Sequence, residues 1–248
     1  MATASVNAAV SPAIGGFTHT WRLEWRRALR RRRLFAMNVV VPLALVVPVA
    51  AGAAPPQHAA VVYAVLFTFF GTFGSAIPLL RDAERGMVRR ISLLPMDPGR
   101  VLLGRALAGA AVDTLQLAPA VAVVALGGSA GRSVAWLAAV LPITLAFAGL
   151  LGTWIAAIAR SVAEGALFAA VTALLLLHAS GVFRTPVPGS IGDAIEKVAP
   201  FRAIHEVALG GRIGGIGALA AAFAVGMLAT ILLGRRLARS LARADDRH

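Results

Sequence analysis

Ser133-Val-Ala-Trp-Leu-Ala-Ala-Val-Leu-Pro-Ile-Thr-Leu-Ala-Phe-Ala-Gly-Leu-Leu-Gly-Thr-Trp-Ile-Ala-Ala-Ile158 runs for 26 residues without a single Asp, Glu, Lys or Arg. A helix needs about 20 mostly apolar residues to cross the hydrocarbon core of a bilayer. Pro142 lies inside the stretch and would break a helix in water. In a membrane bundle, neighbouring helices re-satisfy the carbonyl that a proline frees. Five further stretches have the same character: 34–54, 59–80, 101–126, 165–183 and 214–234. Only 101–126 carries charge, with Arg105 near its start and Asp113 well inside. The expectation is an all-α integral membrane protein with six transmembrane helices, forming a single domain over 1–248.

Composition supports this. Of 248 residues, 58% are hydrophobic and 14% charged, with a mean hydropathy of +0.79. A soluble domain carries nearer a quarter charged residues. The charges are confined to short connecting stretches, as they must be if the solvent is lipid, because an ionised side chain at the bilayer centre costs several kcal/mol. There is no cysteine, which excludes disulfides, thiolate metal sites and a cysteine nucleophile. The net charge of +13 and the run Arg30-Arg31-Arg32-Arg33 raise a nucleic-acid reading. The arginines flank hydrophobic spans, which assigns them instead to loops held against anionic membrane lipids.

Those arginines also set orientation. Seven lie between Arg22 and Arg33, six between Arg81 and Arg105, one at Arg160 and five in the tail from Arg235 to Arg247. The opposite connections hold Arg132, Arg184, Lys197, Arg202 and Arg212. Nineteen positive charges against five predict both termini in the cytoplasm. An even number of spans requires the termini to share a side, so the two readings agree. The arginine cluster precedes a full-length span, a signal-anchor arrangement without a cleavable leader.

Three segments are candidates for function. Residues 20–33 read as an amphipathic helix lying along the membrane surface. Trp21 and Trp25 share one face with Ala28 and Leu29, and Arg26 and Arg30 stand among the basic residues around it. The 81–105 connection begins with mixed charge (Arg81, Asp82, Glu84, Arg85, Gly86). It continues with an apolar patch (Ile91, Leu93, Leu94) and a Pro95-x-x-Pro98-Gly99 turn. A loop that merely joins two helices needs no apolar patch; a loop that plugs into a groove on another protein does. Within the spans, Asp113 with Gln116 one turn on, and His178, are intramembrane polar candidates. Both lie about a dozen residues from the cytoplasmic ends of their spans, which predicts similar depth at ~1.5 Å per residue. A proton relay and a structural hydrogen bond are both open. The pairs Gly210/Gly214 and Gly211/Gly215 permit close helix contact at the start of the sixth span.

Glu84-Arg85, eight intervening residues, Leu94-Pro95 and then Gly104-Arg105 resemble the loop between the second and third spans of ABC-2 type permeases. This chain has Met87 where that family usually has threonine after the glycine. The resemblance extends to the N-terminal interfacial helix, the six spans and the outer connection before the sixth. There Phe183, Pro186, Pro188, Pro200 and Phe201 surround an amphipathic Ile191–Val198 run, and the family places short re-entrant helices. The resemblance implies the membrane subunit of an ATP-driven exporter in a bacterial cytoplasmic (inner) membrane. It implies a coupling helix in the 81–100 loop seated on a separate ABC ATPase subunit, and a second permease copy or paralogue. The substrate would be hydrophobic or amphipathic, such as a drug or lipid.

A phosphate-binding loop needs a lysine after glycine, and the only lysine, Lys197, follows Glu196. ATP and magnesium are therefore expected on the partner subunit, with no cofactor bound by this chain. His19, His58, His178, His205 and His248 lack zinc-site spacing, so no metal site and no catalytic constellation are expected. A polytopic intramembrane enzyme or a non-catalytic membrane scaffold are the competing readings.

Overall fold

The computed structural model describes residues 22, 24–26, 28–30, 32–52, 54–88, 97–126, 131–210 and 214–242. Eight helices are numbered in chain order: α1 (Arg32–Ala51), α2 (Pro56–Glu84), α3 (Pro98–Leu126), α4 (Gly131–Ile158), α5 (Val162–Ala179), α6 (Ile191–Val198), α7 (Arg202–Gly210) and α8 (Ile216–Ala242). Six of them, α1–α5 and α8, are long and apolar enough to cross a membrane. No strand occurs among the described residues. Arg22, Glu24–Arg26 and Ala28–Arg30 are also helical, and Trp25 meets Phe35 of α1 edge-on at 6.5 Å. Trp21 lies outside the described residues.

Several boundaries differ from expectation. Helix α2 continues past Leu80 through Arg81–Glu84, and α8 continues past Gly234 through Arg235, Arg236 and Arg239. A hydropathy reading stops where charges begin, but the backbone hydrogen-bond ladder continues into the headgroup layer. Helix α5 ends at Ala179 rather than 183, because Gly181 turns left-handed (φ 72°) and the Val182 N–H bonds back to the Leu177 carbonyl at 3.2 Å. Pro98-Gly99 is not a turn but the start of α3. The Asp97 carboxylate accepts from the Gly99 and Arg100 N–H groups at 2.8 and 3.1 Å, and Pro98 occupies the first helical position.

Helix α4 is central, with 61% of its apolar span buried against 11% for α1. It packs on α2 along small residues, as membrane helices do when backbones approach closely. A side chain at Gly71 would meet Ala148 and Leu145, and one at Gly149 would meet Ser75. Helix α3 fills the other side of α4 and carries α1, α5 leans on α2, and α8 closes the bundle against α4 and α3. The Trp154 indole donates to Thr230 at 2.9 Å, and the Ser240 hydroxyl donates to the Ala157 carbonyl at 2.5 Å. Buried threonines 72, 144, 153 and 230 donate to carbonyls one turn back, which satisfies them without a partner helix. One hydrophobic cluster occupies the middle of the bundle around Phe67, Leu145 and Phe201. A second, around Leu79, Leu80, Leu102 and Leu241, sits at its arginine-rich end.

Between α5 and α8 the chain forms α6 and α7. Helix α7 is wedged between α2 and α4. Phe201, fully buried, enters the bundle and packs on Phe147 near the middle of α4, with ring centroids 5.7 Å apart. Gly214 and Gly215 are spent on this wedge: a side chain at Gly214 would strike Glu206, and one at Gly215 the backbone of Ala203. Their small size serves a contact within the chain.

Candidate functional site

The arginine-rich end of the bundle gathers most of the charged residues that the sequence singles out. Arg105, on the second turn of α3, donates to the Asp82 carboxylate of α2 at 2.5 Å and lies 3.7 Å from Glu24 of the N-terminal helix. Side-chain exposures of 15% for Arg105, 12% for Asp82 and 19% for Glu24 make this a largely sheltered charge cluster. Arginine suits the position because its planar fork presents several donors in fixed geometry and stays ionised. One guanidinium thus ties together the N-terminal helix, the end of α2 and the start of α3.

Glu84 has a second attachment. Its carboxylate accepts from the Val162 N–H at 3.2 Å, at the start of α5. The first N–H groups of a helix have no partner within it, and this one is satisfied by a side chain from another helix. Ser161 accepts from the Glu164 N–H at 3.2 Å, and Glu164 accepts from the Arg160 N–H at 2.6 Å. Together these resemble a capping box with Glu84 as an added clasp. Ser161→Ala is expected to destabilise by about 1 kcal/mol, read as a lower thermal midpoint of the purified chain in detergent. Glu84→Ala should cost a similar amount, whereas Glu84→Gln, which keeps the accepting oxygen, should cost less.

After Glu84 the chain turns at Arg85 and Gly86. Gly86 is left-handed (φ 67°), a conformation that a side chain would strain. Arg81 and Arg85 are exposed, while Val88 is buried in the second hydrophobic cluster. The expected apolar docking residues Leu93 and Leu94, and Pro95, lie outside the described residues. So do all of residues 89–96 of the 81–100 connection expected to form a coupling helix. Arg26 and Arg30 are exposed on the N-terminal helix, and Trp25 is half-buried.

The intramembrane polar residues are not brought together. Asp113 is 8% exposed, and its carboxylate lies over Gly74 of α2, where a side chain would collide with it. Gln116 is buried and accepts from the Asn38 amide of α1 at 3.1 Å. Asn38 therefore supplies the Gln116 partner. His178 is exposed, in the last turn of α5. The Glu84–Val162 bond sets α2 and α5 at one level. From there His178 is 16 residues along α5 and Gly74 ten residues along α2, about 24 Å against about 15 Å. The expected equal depth is thus corrected: Asp113 and His178 lie 15 and 16 residues into α3 and α5, but α5 begins level with Glu84 whereas α3 begins about five residues further out, toward the arginine-rich end, which leaves His178 nearer the far end.

At that far, arginine-poor end, Phe201 is buried, Pro186 and Pro200 are half-buried, and Phe183 and Pro188 are exposed. Sequence reasoning missed the charge cluster that holds α6 and α7. Arg202 donates to Glu206 at 2.6 Å and lies 3.7 Å from Glu196, and Glu206 accepts from the Gly215 N–H at 3.0 Å. The spacing Arg202-x-x-x-Glu206 was a legible signal for the first of these contacts. At Asp193, the hydrogen bond from Lys197, followed by that from the Gly189 N–H, holds the carboxyl below its ordinary range.

Residues 16–209 match the model of the ABC-2 type transporter family, a match that spans the N-terminal helix and α1 to α7. No curated protein matches the chain.

Proposed function

Because this chain belongs to the ABC-2 type transporter family, a family of multi-pass membrane transport proteins, we propose that it is the permease subunit of an ATP-driven exporter. It moves a hydrophobic or amphipathic compound out of the cytoplasm, across a bacterial inner membrane, with both termini inside. ATP and magnesium are bound by a separate ABC ATPase subunit that docks on the connection between α2 and α3, and a second copy or paralogue completes the pathway. The N-terminal helix lies along the cytoplasmic surface, and α6 and α7 re-enter the outer leaflet.

The observation that carries this reading is the anchoring of the docking connection. Asp82 and Arg105, at its two ends, are joined at 2.5 Å, Glu24 joins the N-terminal helix to them, and Glu84 holds the start of α5. A push delivered to this connection reaches α2, α3, α5 and the surface helix together. Soft attachment would dissipate it. The catalytic alternative has less support, since Asp113 and His178 belong to different parts of the bundle.

The test is recovery of the tagged chain from its native membrane in mild detergent, with mass spectrometry of what accompanies it. The expected result is one stoichiometric ATPase subunit, reduced at least several-fold by Arg85→Glu combined with Leu93→Ser and Leu94→Ser. Arg85 is chosen because it is exposed, whereas Glu84 is occupied by α5. Recovery of the chain without an ATPase in several detergents would overturn the proposal.

A further inference from the structure

At the arginine-poor end of the bundle, α5, the following turn and α6 enclose a cleft of about 170 Å³. Its walls include Leu175, His178, Gly181, Arg184, Pro186 and Ile195. It is bounded on one side by the exposed face of α5, where Leu174 and Leu175 are 45% and 65% exposed, and on the other by α6, with Ile191 82% exposed. An apolar cleft that opens onto bilayer-facing leucines is a place for hydrocarbon. Its polar groups are a guanidinium and an imidazole.

The surrounding charges decide what accompanies the hydrocarbon. Lys197 is neutralised by Asp193 at 2.9 Å. Glu196, whose carboxylate lies against Gly181, shares Arg202 with Glu206, at 3.7 Å against 2.6 Å. Arg184 is exposed and has no acidic partner among the described residues. It is the guanidinium of the cleft wall that no carboxylate among the described residues pairs, with the His178 ring as a second donor. A guanidinium suits bidentate recognition of a phosphate, and basic pockets beside membrane helices hold anionic headgroups.

We infer that this cleft binds an anionic phospholipid, the phosphate on Arg184 and His178 and an acyl chain along Leu175 and Ile195. The apolar half of the cleft favours lipid over a soluble anion, which would leave Leu175 and Ile195 unmatched. The leaflet concerned is the outer one, which rests on the orientation proposed above; the site itself does not. The lipid fixes α6 and its apolar face against α5, beside the segment that runs into the α7 wedge.

The experiment is native mass spectrometry of the full chain purified alone and incubated with phosphatidylglycerol or phosphatidylcholine. Because no ATPase is needed, the outcome is independent of the permease reading. Wild type is expected to retain phosphatidylglycerol in preference, and Arg184→Gln to retain about tenfold less, the loss of one charge-assisted hydrogen-bonded pair. Lys197→Gln removes the same charge one element away and should retain as much as wild type. Arg184 is exposed, so its substitution leaves the fold intact, checked by an unchanged thermal midpoint. Equal losses in Arg184→Gln and Lys197→Gln would reduce the effect to general surface charge and overturn the inference. Displacement of the lipid by millimolar inorganic phosphate would overturn it in favour of a soluble anion.

Discussion

Replacing Gly234 by alanine is expected to destabilise the purified chain by about 3 kcal/mol, near the upper end of overpacking costs. A Cβ at Gly234 would fall on the Cα and N atoms of Gly99, so the obstacle is backbone and no rotamer change relieves it. The approach is close from both sides, since a side chain at Gly99 would in turn strike the carbonyls of Thr230 and Ile231. The remaining response is for α8 to move outward, which strains the Trp154–Thr230 and Ser240–Ala157 hydrogen bonds. Gly217→Ala, in the same helix, is the control. Nothing lies within 4 Å of a Cβ there, and alanine favours a helix over glycine by about 1 kcal/mol. Thermal unfolding in one detergent should separate the variants in opposite directions from wild type. Equal midpoints for Gly234→Ala and Gly217→Ala would show that the α3–α8 contact is looser than the structure has it.

Arg105→Gln is the second large effect. It leaves the Asp82 and Glu24 carboxylates without the guanidinium that sits between them. Removing one partner of a buried ion pair costs about 3–5 kcal/mol. Partial exposure admits some water and lowers this to about 2–3 kcal/mol. The double variant Asp82→Asn with Arg105→Gln also removes the carboxylate that Arg105 pairs with and should recover part of the loss. A double-variant midpoint equal to the sum of the two single losses would mean that the residues act independently. Transport supplies a second readout: if the cluster holds the docking connection rigid, Arg105→Gln lowers transport per ATP hydrolysed more than it lowers ATPase binding.

Much of this protein was legible in the sequence because lipid imposes simple demands. The uncharged run 133–158 had to be a helix within the membrane, and it is one of the six spans. The order of motifs around Glu84-Arg85 and Gly104-Arg105 led to the family that the match over 16–209 shows. Errors arose where a one-dimensional pattern stood in for a level in space. His178 and Asp113 look equally deep only if α3 and α5 begin at one level; each lies 15 or 16 residues from the start of its helix, but the two starts are offset. Nor was there any sign in the sequence that the Glu84 carboxylate accepts from the N–H of a residue 78 positions away. The Pro98-Gly99 pair read as a turn because proline and glycine usually punctuate chains. Here the proline opens a helix and the glycine admits another backbone.

The sequence by itself determined the number of spans and their all-helical nature. Each follows from the cost of placing an ionised group or an unsatisfied peptide in hydrocarbon, a cost paid residue by residue along the chain. Only the tertiary structure decided which helix lies at the centre, that α7 wedges between α2 and α4, and that one arginine joins three segments. Those outcomes depend on close packing between residues far apart in the chain, such as Gly99 with Gly234, Phe147 with Phe201 and Asp82 with Arg105. Hydropathy assigns a helix to the membrane but gives no preference among its neighbours. Shape and paired charge make that choice.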